Sequence, residues 1–123
     1  MTWRMKTEEV LPPVPDGEYA AMPVNIQEMN GPHGPMVRID FQIADDDQWE
    51  GRRLSGIASK KLSANTKLGS WVAAIMGGMP HVGREVTEDD LLHHDCVVVV
   101  RQVAGDQDRV YANVIDVRNF EQN

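Results

Sequence analysis

Cysteine, long apolar runs and signals for export are all scarce in this sequence. The single cysteine, Cys96, excludes an intramolecular disulfide, and its place at the head of a valine run predicts a buried, unreactive thiol in a reducing compartment. The longest uninterrupted apolar run lies around residues 97–100, far short of the ~20 residues that cross a bilayer, and the N-terminus has no signal-peptide core. We therefore expect a cytoplasmic protein with no membrane association.

Excess basic charge is also lacking, since the formal net charge is -7. This argues against a protein whose whole surface attracts nucleic acid, because lysine and arginine drive that attraction. The charge is segregated, however: residues 51–67 hold five basic residues and no acidic one, whereas acidic residues cluster at 45–50 and 85–95. We expect a basic side and an acidic side in the folded chain.

The length and composition predict one globular domain. The chain has 123 residues, of which 41% are apolar and 25% charged, close to globular averages. Residues 1–16 are proline-rich near their end, which disfavours helix and central strand, and we expect an extended arm there. The domain is then predicted over residues 17–118, with a short tail at 119–123.

Five segments have the residue pattern of β-strands. We predict strands over 19–29, 36–43, 52–59, 96–103 and 110–117. Pro23 interrupts the first strand, which fits an edge position or a bulge. In the third strand, Gly56 permits curvature. The fourth strand is almost wholly apolar and is expected to be buried on both faces or to lie at the centre of the barrel, and a turn at 105–108 joins it to the fifth in a hairpin.

Between the third and fourth strands the apolar period becomes helical. Leu68, Trp71 and Ile75 share one helical face, with Ser63 or Asn65 as candidate caps. Gly77-Gly78 supplies the stop for this helix. A second, short helix is predicted to start at Thr87 and to end by Asp95.

This order of elements is that of the five-stranded OB barrel. We therefore predict an all-β, five-stranded OB-type barrel with one amphipathic helix between strands three and four and a second short helix. Its predicted core consists of Val37, Ile39, Phe41, Leu54, Leu68, Trp71, Ile75, Val98, Val100 and Val114.

Several short patterns also resemble those of small phage and prophage OB-like proteins. The patterns are Gly17-x-Tyr19-x-Ala21, a Gly34 before a strand ending in Phe41-x-Ile43, Lys61-Leu62-Ser63 before Leu68-x-x-Trp71, and Asp90-Leu91-Leu92 before a valine strand. The resemblance covers roughly residues 17–117. It implies the fold and, because some of those proteins are associated with single-stranded DNA, a role in DNA binding. His94 departs from it, since such proteins often carry glycine there.

No pattern of reactive or metal-binding residues supports catalysis. The four histidines are scattered, and the adjacent pair His93 and His94 points in different directions on either a helix or a strand. Cys96 has no basic partner nearby in sequence, and no serine sits in a nucleophile elbow. The Asp45-Asp46-Asp47 turn lacks the spacing of a calcium loop. We expect no enzyme activity, no metal site and no cofactor.

One set of residues combines basic charge with an exposed aromatic ring, as proteins that bind single strands require. The candidate nucleic-acid-binding residues are Arg38, Trp49, Arg52, Arg53, Lys60, Lys61 and Lys67. Tyr19, Phe41 and Trp71 are expected to be packed in the core, which leaves Trp49 as the one well-placed aromatic residue. We expect the basic residues around the third strand to converge with Trp49 on one groove.

Three interpretations of this surface remain open. The chain binds single-stranded nucleic acid in phage or bacterial DNA metabolism, or it is an OB-like protein-interaction module whose acidic surface docks a protein partner or a second copy of the chain. The third interpretation is a solvated basic face that balances two acidic ones and binds nothing.

Overall fold

The structure is a computed structural model that describes residues 12–105 and 109–120. It is mostly β, with five strands and two short helices in the predicted order, and each strand end lies within two residues of its predicted position. The elements are β1 (Gly17–Gly31), β2 (Gly34–Ile43), β3 (Arg53–Ser59), α1 (Lys67–Met76), α2 (Glu88–Leu91), β4 (Cys96–Ala104) and β5 (Val110–Asn119). Three residues of the predicted turn at 105–108 lie outside the described residues.

The five strands pair in the order β1-β2-β3-β5-β4, and β4 pairs in turn with β1, so the sheet closes on itself. All pairs are antiparallel except β3 and β5, which are parallel and share one pair of Cα partners, Ser55 and Asn113. The β1–β2 register shifts between Pro23 and Asn25. Of the two alternatives expected at Pro23, an edge position or a bulge, the register shift favours the bulge, and β1 can bend there.

The ten predicted core residues are all buried together. Phe41 and Ile39 are at most 1% exposed, whereas Arg38, between Val37 and Ile39 in the alternation, is exposed. Because a one-residue slip would exchange the two faces of the strand, this pattern confirms the register predicted for β2. Neither helix in the described part of the chain has the length or the apolar character needed to cross a bilayer.

The cap of α1 differs from the prediction. Thr66 caps the helix by accepting a hydrogen bond from the Gly69 amide at 3.1 Å. The two predicted caps lie further upstream and bond each other, since the Ser63 hydroxyl donates to the Asn65 side chain at 2.8 Å. Thr66 takes the role because it directly precedes the first helical residue. Gly77, at φ 83°, ends the helix as predicted.

Trp71 fastens α1 to the barrel. The indole is 1% exposed and makes an edge-to-face contact with Phe41, with 6.3 Å between the ring centroids. A Cβ atom on Gly56 would lie 2.6 Å from the indole. Gly56 was expected to permit curvature of β3; in addition, it leaves the space in which the Trp71 ring sits.

The prediction that β4 is buried on both faces is wrong. Its inward residues are buried, the alternating outward valines are only half-buried, and residues 101–104 are exposed. The reason is that the β4–β5 hairpin continues past the end of β1, whose last partner on β4 is Val100. Cys96 is fully buried, and this burial, with a smaller effect of the Asp95 charge, raises the pKa of its thiol to about 12. The expected buried thiol is thus confirmed.

The end of the N-terminal arm packs onto this same strand. Residues 1–11 lie outside the described part of the chain, but Val14 is fully buried in the core. The Gln102 amide donates to the Asp16 carboxylate at 2.5 Å, and the Gln102 side chain donates to the Val14 carbonyl at 3.2 Å. The last residues of the arm therefore contribute to the folded unit.

Candidate nucleic-acid interface

The seven candidate residues lie along β2, β3, the two connections that flank β3, and the first position of α1, which Lys67 occupies. Arg53 begins β3 and Lys60 directly follows its end. A seven-residue strand is about 20 Å long, so these two residues are separated by most of the width of the barrel. The set forms a line along β3 with one group at each end, and any groove that contains all seven must run along the strand.

The first group consists of Trp49, Arg52 and Arg53, at the turn that enters β3. The Asp46 carboxylate orders this turn by accepting hydrogen bonds from the Gln48 and Trp49 amides at 2.9 and 2.7 Å. The Arg52 guanidinium lies 5.6 Å from the centroid of the Trp49 ring, a cation–π contact, and the ring is partly buried against the core. Arg53 is exposed and has no ion pair within the described residues.

The second group consists of Lys60, Lys61 and Lys67, beyond the end of β3. The Lys60 ammonium pairs with the Glu28 carboxylate on β1 at 2.5 Å. Lys67 donates to the Ile57 carbonyl at 3.0 Å and lies 5.0 Å from the centroid of the Trp71 ring. Lys61 is exposed, and over residues 12–105 and 109–120 it has no ion pair. Lys61 is therefore the least engaged cation of this group.

Arg38, on β2 between the two groups, is neutralised by a neighbouring carboxylate. Its guanidinium donates to Asp40 at 3.0 Å, and Asp40 also accepts from the Ser55 hydroxyl at 2.6 Å and the Asn25 amide at 3.1 Å. Partial burial alone would raise the pKa of Asp40, but the hydrogen bonds from Ser55, Asn25 and Arg38 and the guanidinium charge outweigh it and lower the pKa. Asp40 thus stays ionised and compensates Arg38.

Replacing Asp40 with asparagine is expected to release the Arg38 charge and to destabilise the fold at neutral pH. Because the carboxyl pKa is lowered by folding, its contribution is present above the unfolded value of ~3.9 and is lost as the pH falls through the lower folded value. Urea unfolding of wild type and Asp40→Asn should therefore differ at pH 7 and converge below about pH 4. A constant difference across this range would contradict the ionic role of Asp40.

The sequence analysis missed Tyr111, an exposed aromatic residue on the outer face of β5, the strand next to β3. Tyr111 on β5 is 48% exposed. Its neighbour two residues on, Asn113, is the β5 partner of Ser55 on β3. The alternation of Tyr111 and Asn113 with the inward-facing Val114 was a usable signal for exposure, but the adjacency of β5 to β3 depends on how the sheet closes, which local patterns do not encode.

An apolar crevice of about 350 Å3 lies near Lys60, beyond the end of β3, between strands β1 and β2 and the two helices. Polar side chains at the crevice include Lys60, paired with Glu28, together with Thr87 and the exposed Glu88. Its apolar lining consists of Ile26, Val37, Ile39, Leu62, Leu68, Val72, Val86 and Leu91. This crevice is the best-formed apolar concavity next to the acidic segment 85–95.

The histidines are exposed, and in the part of the chain that the structure describes no three histidine, cysteine or acidic side chains are grouped to hold a metal ion. Comparison of the sequence with models of protein families and with curated proteins gives no match. What the surface binds must therefore be inferred from the chemistry of its own residues.

Proposed function

We propose that this chain is an OB-type barrel that binds single-stranded nucleic acid along the outer face of β2 and β3, in the cytoplasm and in phage or bacterial DNA metabolism. The strand order β1-β2-β3-β5-β4 with a helix between β3 and β4 supports the OB type. The observation that carries the functional proposal is the group at the start of β3, where a Trp49–Arg52 cation–π contact is followed in the chain by the exposed Arg53, which has no ion pair over the described ranges.

Each part of this group supplies a different contribution to binding. The Arg52 guanidinium lies over the Trp49 ring and supports it, and the part of the ring that stays accessible offers a flat surface on which any base can stack. Arg53 contacts a phosphate, and Lys61 can contact a second one further along β3. Because stacking and phosphate contacts carry no sequence information, the binding is expected to be largely independent of sequence.

The acidic balance of the chain restricts where a polyanion can bind. Acidic residues at 45–50 share the turn that carries Trp49, and those at 85–95 surround α2. Strand β3 itself contains no acidic residue. With few free cations, affinity is expected to be moderate and to be greatest at low ionic strength.

The direct test is a titration of a fluorescently labelled oligo(dT) with the purified chain at several salt concentrations. With two or three phosphate contacts, the logarithm of the association constant should fall against the logarithm of salt with a slope of about -1.4 to -2.1. A labelled duplex of equal length should bind more weakly, because its bases are not free to stack. Absence of binding even at low salt would refute the proposal.

The crevice favours a second candidate function, a protein-interaction module. Its apolar lining suits an apolar side chain of a partner, and the exposed Glu88 suits a cation on the same partner. Docking there would depend mainly on apolar burial and only weakly on salt. If the chain shows no salt-dependent binding of oligonucleotide, the crevice becomes the candidate binding surface.

A further inference from the structure

The β4–β5 hairpin carries an exposed aromatic residue beyond the closed part of the sheet. All four residues of Arg101–Ala104 are exposed, as are Val110 and Tyr111 on the opposing strand. Val103 is the cross-strand partner of Tyr111, and both side chains are more than two-fifths exposed. Such exposure leaves one side of the Tyr111 ring accessible to a ligand.

The register of β3 and β5 places Tyr111 beside the proposed binding surface. Ser55 and Asn113 are direct partners in parallel strands, so residues two positions earlier on each strand lie on the same face and at the same level. Those residues are Arg53 and Tyr111. Neighbouring strands lie about 5 Å apart, so this register brings the backbone of Tyr111 near that of Arg53, whereas the Tyr111 ring leans toward Gly105 at the end of β4. Arg101, the β4 partner of Asn113, extends the same face by one more strand.

The Tyr111 ring also has a fixed support. It lies against the backbone of Gly105, where any Cβ atom would collide with the ring. The Gly105 amide donates to the Arg109 carbonyl at 2.7 Å, which closes the base of the hairpin turn. A ring that rests on backbone loses little conformational freedom when a base stacks on its other face.

We propose that Tyr111 is a second stacking platform, so that a bound single strand leaves Trp49, passes Arg53 and crosses β5 toward Arg101. This inference rests on the proposed function, because it assigns the direction in which the strand runs. It gives the site two aromatic surfaces at one end of the barrel, whereas the set predicted from the sequence runs along β3 toward Lys61.

Replacement of Tyr111 with serine tests the platform, and Tyr111→Phe is its matched control. Loss of one base stack is expected to weaken oligo(dT) binding by about 5-fold to 100-fold, while the salt slope stays unchanged because no phosphate contact is lost. Tyr111→Phe keeps the ring and should bind like wild type. Gly105→Ala should displace the ring and weaken binding in the same way.

Photocrosslinking provides a readout that a purely structural tyrosine would not give. An oligo(dT) carrying one 5-iodouracil is bound to the full chain, irradiated and digested with trypsin. Cleavage after Arg109 and Arg118 yields a peptide whose single aromatic residue is Tyr111, and cleavage after Arg38 and Arg52 yields the peptide that contains Trp49. Both peptides should be crosslinked.

The outcomes separate this inference from the proposal on which it rests. If wild type fails to bind oligo(dT) at low salt, the proposed function itself is wrong. If wild type binds and the Trp49 peptide is crosslinked, but the Tyr111 peptide is not and Tyr111→Ser binds normally, the function stands and the second platform is wrong.

Discussion

Trp71→Ala is expected to lower the free energy of unfolding by about 3 to 5 kcal/mol. The indole is almost completely buried, packs edge-to-face on Phe41 and occupies the space left by Gly56. Alanine would leave a cavity between α1 and the sheet that neither element can close. Urea unfolding followed by circular dichroism measures the loss, and the unfolding temperature should fall by more than about 10 °C.

Trp49→Ala is the control for this prediction. Trp49 lies in a turn and is only partly buried, so its removal should cost much less stability than removal of Trp71. Equal effects of the two substitutions, or an unchanged unfolding transition in Trp71→Ala, would show that α1 is not held to the barrel by this ring.

Reversing two exposed cations of the candidate set that have no ion pair within the described residues, Arg53→Glu with Lys61→Glu, is expected to weaken oligo(dT) binding by at least about 10-fold at low salt. The salt slope should decrease in magnitude by about 1.4, the amount expected when two phosphate contacts to a single strand are lost. Lys60 is a poorer choice for this experiment, because Glu28 already compensates its charge. Fluorescence anisotropy at four or more salt concentrations gives both quantities.

Net charge alone must be separated from position. Arg53→Glu and Arg118→Glu change the charge of the chain equally, but Arg118 lies on the β1–β4 side of the sheet, where it pairs with Glu18. Its surface ion pair contributes little to stability. Only Arg53→Glu should weaken binding strongly. Equal weakening by both would indicate long-range repulsion of the oligonucleotide and no contact at Arg53.

The fold was predictable from the sequence where one local pattern determines the structure. The alternation in β2 determines that Phe41, and not Asp40, faces the core. The helical spacing of Leu68, Trp71 and Ile75 determines the buried face of α1. The extent of burial of β4 was not predictable, because a valine run has the same composition whether both faces are covered or the strand projects beyond its neighbour.

The candidate site was predictable only as a composition. The sequence shows that 51–67 is basic, but it does not show which cations already have a partner. Glu28 comes from β1 to pair with Lys60, and Asp40, which lies two residues after Arg38 on the same face of β2, also bonds Asn25 of β1 and Ser55 of β3. Tyr111 was missed for the same reason, since its proximity to β3 is a property of the closed sheet.

The single partner pair between Ser55 and Asn113 has a consequence for how the sheet closes. The β1–β2, β2–β3 and β4–β5 pairs join strands that follow each other along the chain, so each can form with a short loop. The parallel β3–β5 contact joins distant segments and must offset a larger loss of chain entropy with fewer interactions. The β3–β5 boundary is therefore where the two sides of the sheet can separate with the smallest loss of backbone pairing.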